Sequence, residues 1–570
     1  MFDSLQGMPV TGRASVRSLN VALLSAIVVA SAALIIHSAV ALYRFHDTLP
    51  FYDMILVDYQ YLYGTWKDFW LFHDNEHRPL VVMPLYWLDL SVFRDQEGFL
   101  VVCNVVVAAC IAAVPWRAIA RGTNGDRALT AACCALTTAM MFWLANRANL
   151  SWPKQIHVYL SVFAMMLAFR RAADPRPTGA GAAAGIAAWL CVSTFSFGFG
   201  IIGFPAVAII AVLRRWNWRA MFVLALALLA CVALYAALTD GLQFIRDGKP
   251  VAGFDAGHTL AFALTLLSAP IVYIARTLTT GPSAVLTGQC LTVAGLGVYA
   301  WRTLRCIRRP PAELEAWALL LAAFAVGNAL QTALARAFIH DLDYALEHRY
   351  IIGELPFWEG LILLAVPAVA AASQARVLAA ACAGLAIEAG LLWSQRTELR
   401  DLRYEDAWHW QEAMSGLTGV PDRALFDAHI WIDADQVVRV LDGLRARRMS
   451  MFDWPQASWM GQPITRFAIT EHSCMGELRG TTPVPGGDGS LALGWSGDAR
   501  VADWSTWIVL ADKAGTITGL ARGGVMDEFA ASWTHSHYSA WRGYVRGSAD
   551  GLTPYMVLPG NRACALRRPW

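Results

Sequence analysis

Eleven or so apolar segments, most of them close to the length that crosses a bilayer, fill the first two-thirds of this chain. The hydrocarbon core is about 30 Å thick, so a helix rising about 1.5 Å per residue needs roughly 20 mainly apolar residues to span it. No water is available there for backbone N–H and C=O groups, which must therefore be satisfied within a helix. The qualifying segments are 20–43, 98–116, 128–145, 156–170, 180–196, 198–213, 220–238, 283–301, 314–337, 353–372 and 376–393. The pair 180–213 spans twice only if the chain turns near Phe197-Gly198. Composition agrees, with 57% hydrophobic and 15% charged residues, against about 25% charged in an average soluble domain. A net charge of +2 leaves no electrostatic footprint for nucleic acid.

The segment 259–279 is apolar but carries Pro270 and Arg276. Arg and Lys concentrate in cytoplasmic loops, and that bias decides how the segment is treated. If it is re-entrant or interfacial and the other eleven cross, the cytoplasmic stretches are 1–19, 117–127, 170–178, 214–219, 302–312 and 373–377. These hold 16 basic residues against three acids, Asp3, Asp126 and Asp174. The loop 43–97 has the opposite bias, four basic residues against nine acids. Counting 259–279 as a crossing would place Arg302, Arg305, Arg308 and Arg309 outside. The expected topology therefore has a cytoplasmic amino terminus, with loop 43–97 and everything after 393 on the far side of the membrane. The first segment, flanked by Arg13 and Arg17, reads as a signal anchor.

The tail has another texture. Residues 394–463 form a helical linker, with charges of both signs interleaved and Trp408, Trp410, Leu417, Leu425 and Val438 as buried positions. From 464 to 570 short strands alternate with turns, as in 491–495, 505–510, 516–520 and 538–545, which predicts an extracytoplasmic α+β domain containing a β-sandwich. Nine of eleven cysteines lie in spans or cytoplasmic loops; only Cys474 and Cys564 fall in the tail. An exported pair reads as a disulfide, the alternative being two buried free thiols.

The run His73-Asp74-Asn75-Glu76-His77-Arg78-Pro79 crowds ionisable groups beside hydrocarbon. With "STFSFGFGIIGFP" and "EHRYIIGELPFWEGL", it resembles segments of the GT-C class of bacterial integral-membrane glycosyltransferases. "SAWRGYVRG" and the late Cys564 resemble a carbohydrate-binding-like domain appended to some members. The layout is similar too: one span, a long acidic external loop, a helical bundle, then an external domain. The resemblance implies a 1–393 catalytic domain that moves a hexose or pentose from a polyprenyl-phosphate donor to a glycan or lipid acceptor. The paired acids of several members are not plain here; Asp53 and Asp58 stand five apart instead.

Such a reaction expels a phosphate, which needs cations rather than a strong acid, while the acceptor hydroxyl needs a base. A single carboxylate then suffices, with inversion, unlike the two of glycoside hydrolysis. For the base the order is Asp53, Asp58, Glu76. Asp53 also reads as a cap for the helix beginning near Met54. Pro79 reads as a first helical residue, which leaves the density of charge at Glu76, His77 and Arg78 unexplained. Phosphate ligands are sought among Arg78, His77, Arg147, Lys154, Arg336, His348, Arg349 and Tyr350, guanidinium suiting phosphate by its bidentate fork. The competing reading of each is an interfacial anchor snorkelling to headgroups. No metal site or cofactor motif is identified; acids in the first loop leave room for a divalent cation. His535 and His537 lack a third ligand at useful spacing, and Gly198 and Gly200 read as a tight turn or close helix approach. Two other classes stay open, a glycan polymerase or ligase of the O-antigen type and a non-enzymatic lipid or glycan transporter.

Overall fold

The structure, a computed structural model, describes residues 10–46, 53–73, 77–176, 179–238, 255–279, 281–430, 432–498, 506–526 and 538–568. It forms two compact units. The first comprises Met1–Arg44, Leu71–Met83 and Val101–Leu399; the second comprises Phe45–Trp70, Pro84–Leu100 and Arg400–Trp570. The loop 43–97 is thus shared out between them. The expected boundary at 393 falls inside one unbroken 45-residue helix, Gln374–Thr418, because no proline interrupts the change from apolar to charged sequence.

Among the described residues, eleven helices are long and apolar enough to cross a membrane, the expected number with one exchange of members. Ala256–Ala275 qualifies at 20 residues, since its helix runs through Pro270. Phe199–Leu213, at 15 residues, falls short of the length. Contacts within the first unit nonetheless show where these helices begin and end. Arg214, just past Phe199–Leu213, donates to the carbonyls of Ala172 (3.2 Å), Asp174 (2.6 Å) and Pro311 (3.2 Å). The short helix therefore returns the chain to the end where Ile156–Ala173 finishes and Glu313–Arg336 starts. Arg121 pairs with Glu313 and Arg302 with Glu315 at that same end. Ala256–Ala275 behaves differently. His258 Nε2 lies 3.3 Å from the His340 carbonyl, and near the other end Tyr273 donates to the Leu346 carbonyl. Residues near both of its ends thus bond to one connection, 340–346.

The turn at Gly198 is present. Its φ of +94° is left-handed, a conformation glycine adopts without cost, and it links Ala180–Phe197 directly to Phe199–Leu213. Gly200 serves close approach: a Cβ there would stand 2.0 Å from the Leu190 carbonyl oxygen.

The tail of the second unit is a closed barrel rather than a sandwich. Its strands are β1 Ala468–Ile469, β2 Cys474–Pro483, β3 Gly489–Ser496, β4 Trp507–Ala511, β5 Ile517–Val525, β6 Ala540–Arg546, β7 Thr553–Leu558 and β8 Arg562–Arg567. Seven run β8-β2-β3-β6-β5-β4-β7, and β7 pairs back onto β8; β1 extends β8 as an outlying strand. A sandwich was expected because the local pattern of short strands is common to both; closure depends on β7 and β8, which carry weak strand signals. Ile508, Leu510, Trp541, Val545, Met556 and Cys564 fill the interior. A Cβ on Gly494 would meet the Trp541 ring at 2.0 Å, so only glycine admits that indole. Cys474 and Cys564 form a disulfide, their Cα atoms 5.7 Å apart.

The opposite faces of the same strands meet the unit's helices. Arg542 donates to Gln411 Oε1 (2.7 Å), and the Tyr544 hydroxyl donates to Asp422 (2.6 Å). Trp410 packs against Trp454 and Trp507 at centroid distances of 5.2 and 5.8 Å, with the Arg522 guanidinium 3.2 Å above the Trp410 ring. These tryptophans join barrel to helix rather than forming an open platform.

Candidate functional site: a buried polar connection

Between the helices Arg127–Phe142 and Ile156–Ala173 the chain abandons regular structure. Trp143 turns extended, Leu144–Asn146 makes one tight turn, Arg147–Ser151 one short helix, and Trp152 is extended before Pro153, as a residue preceding proline prefers. Nearly every residue from 143 to 155 is buried, including Asn146, Arg147, Asn149, Ser151, Lys154 and Gln155. Irregular polar backbone is normally a surface feature, and in an apolar helical unit it persists only where protein satisfies it or where it lines a polar cavity.

The partners are present. Gln395 Oε1 accepts from the Leu144 N–H (2.8 Å), and its Nε2 donates to Ser38 (2.8 Å). Trp143 Nε1 donates to Ser394 (2.8 Å), Asn104 to the Trp152 carbonyl (2.9 Å), and Asn146 to the Met141 carbonyl (3.0 Å). Asn149 donates to Asn146 Oδ1 (2.8 Å) and to the His348 carbonyl (3.2 Å).

Three ionisable groups meet within this frame. Arg147, 2% exposed, is ion-paired with Glu398, 3% exposed. His348 Nδ1 lies 3.0 Å from Arg147 Nη1, 3.0 Å from the Ala145 carbonyl and 3.6 Å from Glu398 Oε2. A proton on Nδ1 serves Ala145; the other tautomer accepts from Arg147. The Tyr273 ring stacks on His348 at 4.6 Å. A second group adjoins in sequence. Arg349 donates to the Tyr344 hydroxyl and stands 5.2 and 5.3 Å from the Tyr344 and Tyr350 ring centroids. His340 stacks on Tyr344 at 3.6 Å, and burial together with the charges of Arg336 and Arg349 lowers its pKa.

A third group stands around Phe197. His77 and His157 meet that ring at 4.1 and 4.8 Å, His157 Nδ1 contacts the Lys154 carbonyl, and His77 Nδ1 lies 3.5 Å from the Tyr235 hydroxyl. Lys154 is 2% exposed. Arg78 donates to the Leu71 carbonyl at 2.7 Å. Glu76, His535 and His537 lie outside the described residues.

Arg147 and Lys154 are therefore not interfacial anchors, since a snorkelling side chain keeps its charged head in water. Arg147 and His348 are brought together; Arg336, Arg349 and Tyr350 form one neighbourhood; His77 joins Lys154 through Phe197 and His157. Glu398, His157, Asn146 and Asn149 were not foreseen. Ser394, Gln395 and Glu398 occupy one helical face at spacings of one, three and four, a signal hidden by the surrounding surface-like charges.

In the second unit, Asp53 occupies the cap position of Met54–Tyr63, its carbonyl accepting from the Leu56 N–H at 3.2 Å, but its side chain makes no capping bond. Asp58 is fully buried on that helix, and Asp89 and Asp95 are fully buried as well. Burial and the Asp89 charge raise Asp58, burial and both neighbours raise Asp95, and burial pushes Asp89 up to about 7. Compared with known proteins, the chain matches no family model, no curated protein and no solved structure.

Proposed function

We propose that this protein is a multi-pass membrane glycosyltransferase that takes its sugar from a polyprenyl-phosphate donor and holds the phosphate with the polar connection 143–155 and the neighbouring residues 348–350. The buried pair Arg147–Glu398 within an irregular polar segment is the observation that carries this reading. Ionisable groups among apolar helices are costly and are retained where they work on a ligand or ion. Glu398 and His348 hold the Arg147 guanidinium in one orientation, while Arg349 and Lys154 add the charge that a departing phosphate needs. The acceptor's base stays as the sequence assigns it, Asp53, on chemistry alone. The orientation follows from charge: Arg121, Arg214 and Arg302 gather at one end of the first unit, the polar connection belongs to the other, and we assign the latter to the extracytoplasmic face.

Purified protein in detergent, given polyprenyl-phosphate hexoses and pentoses with a glycan acceptor, tests the reading by product formation. Asp53→Ala is expected to lower transfer by about 100-fold or more, the usual contribution of a positioned base, with unchanged thermal stability. Full transfer by both Asp53→Ala and Arg349→Ala would end the proposal. A transporter is the second reading, favoured by Glu354, Glu359 and Glu388, which are buried on apolar helices. Lipid flux across protein-containing vesicles without product formation would select it.

A further inference from the structure

The helix Ile156–Ala173 starts at the polar connection and, 18 residues on, ends beside an open cavity of about 550 Å³. At about 1.5 Å of rise per residue the two are well apart. Leu167, Arg170, Arg171, Asp174 and Trp189 line the cavity. The first four recur at spacings of three and four, so they share one face. Trp189 comes from Ala180–Phe197, which packs alongside, the Ser161 and Ser193 hydroxyls 2.9 Å apart. A volume of that order is what small-ligand sites offer.

Two cations stand on this wall without a counter-charge. Among the described residues, neither the Arg170 nor the Arg171 guanidinium has an ion pair or a hydrogen bond. Asp174, the acid beside them, is engaged with its own loop: its Oδ1 accepts the Arg176 N–H at 3.0 Å and lies 4.0 Å from Arg176 Nε. Basic residues in the last turn of a helix suit its dipole, and the positive-inside bias brings them to this end. Neither effect accounts for the cavity or for the way Arg171 is held. A Cβ at Gly185 would collide with Arg171 Nη1, so the guanidinium lies against the neighbouring helix where glycine leaves it room. Trp189, 36% exposed, and Leu167 give the same cavity an apolar side. Guanidinium beside indole and leucine fits a ligand that is anionic at one end and apolar at the other. At the end of helices long enough to cross a bilayer, that chemistry belongs to a phospholipid.

We propose that this cavity binds the headgroup of an anionic phospholipid, with Arg170 and Arg171 donating to its phosphate and Trp189 and Leu167 lying along the start of its acyl chains. The site is separate from the donor site proposed above. Its test contains no transfer step, so either can fail alone.

Full-length protein in detergent, stripped of lipid, is titrated with phosphatidylglycerol or with phosphatidylcholine, and native mass spectrometry counts the lipids each chain retains. Phosphatidylglycerol is expected to be held saturably and about tenfold or more tightly than phosphatidylcholine. Arg170→Gln with Arg171→Gln is expected to weaken its retention about tenfold or more. Arg308→Gln with Arg309→Gln removes the same charge from exposed positions outside the cavity and is expected to leave retention within about twofold. Gly185→Leu keeps the charge but fills the space of the guanidinium; it should weaken retention too, and it decides the matter if the first variant does not fold. Equal retention of the two lipids would overturn the proposal. So would equal loss in the two arginine pairs, which would reduce the effect to general surface charge. Full displacement by millimolar inorganic phosphate would overturn it as well, the occupant then being the free anion rather than a lipid.

Discussion

Glu398→Ala is expected to destabilise the helical unit by about 3–5 kcal/mol, the cost of stranding a buried charge. Arg147 is 2% exposed and Glu398 is its carboxylate partner, so alanine leaves an enclosed guanidinium without the charge that compensates it. The same argument predicts that Arg147→Met combined with Glu398→Leu regains most of the stability, because two apolar residues of similar volume need no compensation. Thermal midpoints in detergent for the single and double variants check this. A single variant as stable as the parent would mean that water reaches Arg147. The double variant is informative for function as well, since it keeps the fold while removing the proposed phosphate ligand.

Removing the disulfide should have an effect of similar size on the barrel. Cys474 and Cys564 are 90 residues apart, and the loop they close corresponds to about 4–5 kcal/mol in the chain-entropy description, with typical measured effects of about 2–4 kcal/mol. Its position adds to this. The β2–β8 seam is a parallel ladder of two register pairs, Cys474 with Leu566 and Met475 with Arg567, whereas β3 and β6 share seven. The barrel is thus stapled where its ladder is shortest. Cys474→Ser with Cys564→Ser is expected to lower the tail's unfolding free energy by that amount and to speed amide exchange first along β2 and β8. Exchange that rises evenly over all strands would show that the bond does not act at the seam.

Length and hydropathy made the helices of the first unit legible, because crossing hydrocarbon demands a long apolar run whatever the fold. The turn at Gly198 was legible too, from glycine, whereas 259–279, read from charge counting as re-entrant or interfacial, forms a helix long and apolar enough to cross. Barrel closure was not, since pairing β8 with both β2 and β7 is a non-local choice that strand pattern does not encode. Arg147 was visible as a cation in a loop, but burial could not be told from snorkelling, because the deciding partner, Glu398, lies 251 residues away. Asp58 could be named as an acid, while its enclosure with Asp89 and Asp95 depends on the turn of a loop with three left-handed residues. In each case local chemistry was readable and its partner was not.

Binding of polyprenyl phosphate to the purified protein, compared with uncharged polyprenol of the same length, tests the central claim most directly. That lipid is the part common to every donor of the class, so the identity of the sugar does not enter. The account predicts saturable binding of the phosphate, little of the alcohol, and about tenfold or greater weakening in Arg349→Ala and in the Arg147→Met, Glu398→Leu double variant, since a charge-assisted hydrogen bond contributes about 1.5–3 kcal/mol. Equal binding of phosphate and alcohol, or unchanged binding in both variants, would contradict it.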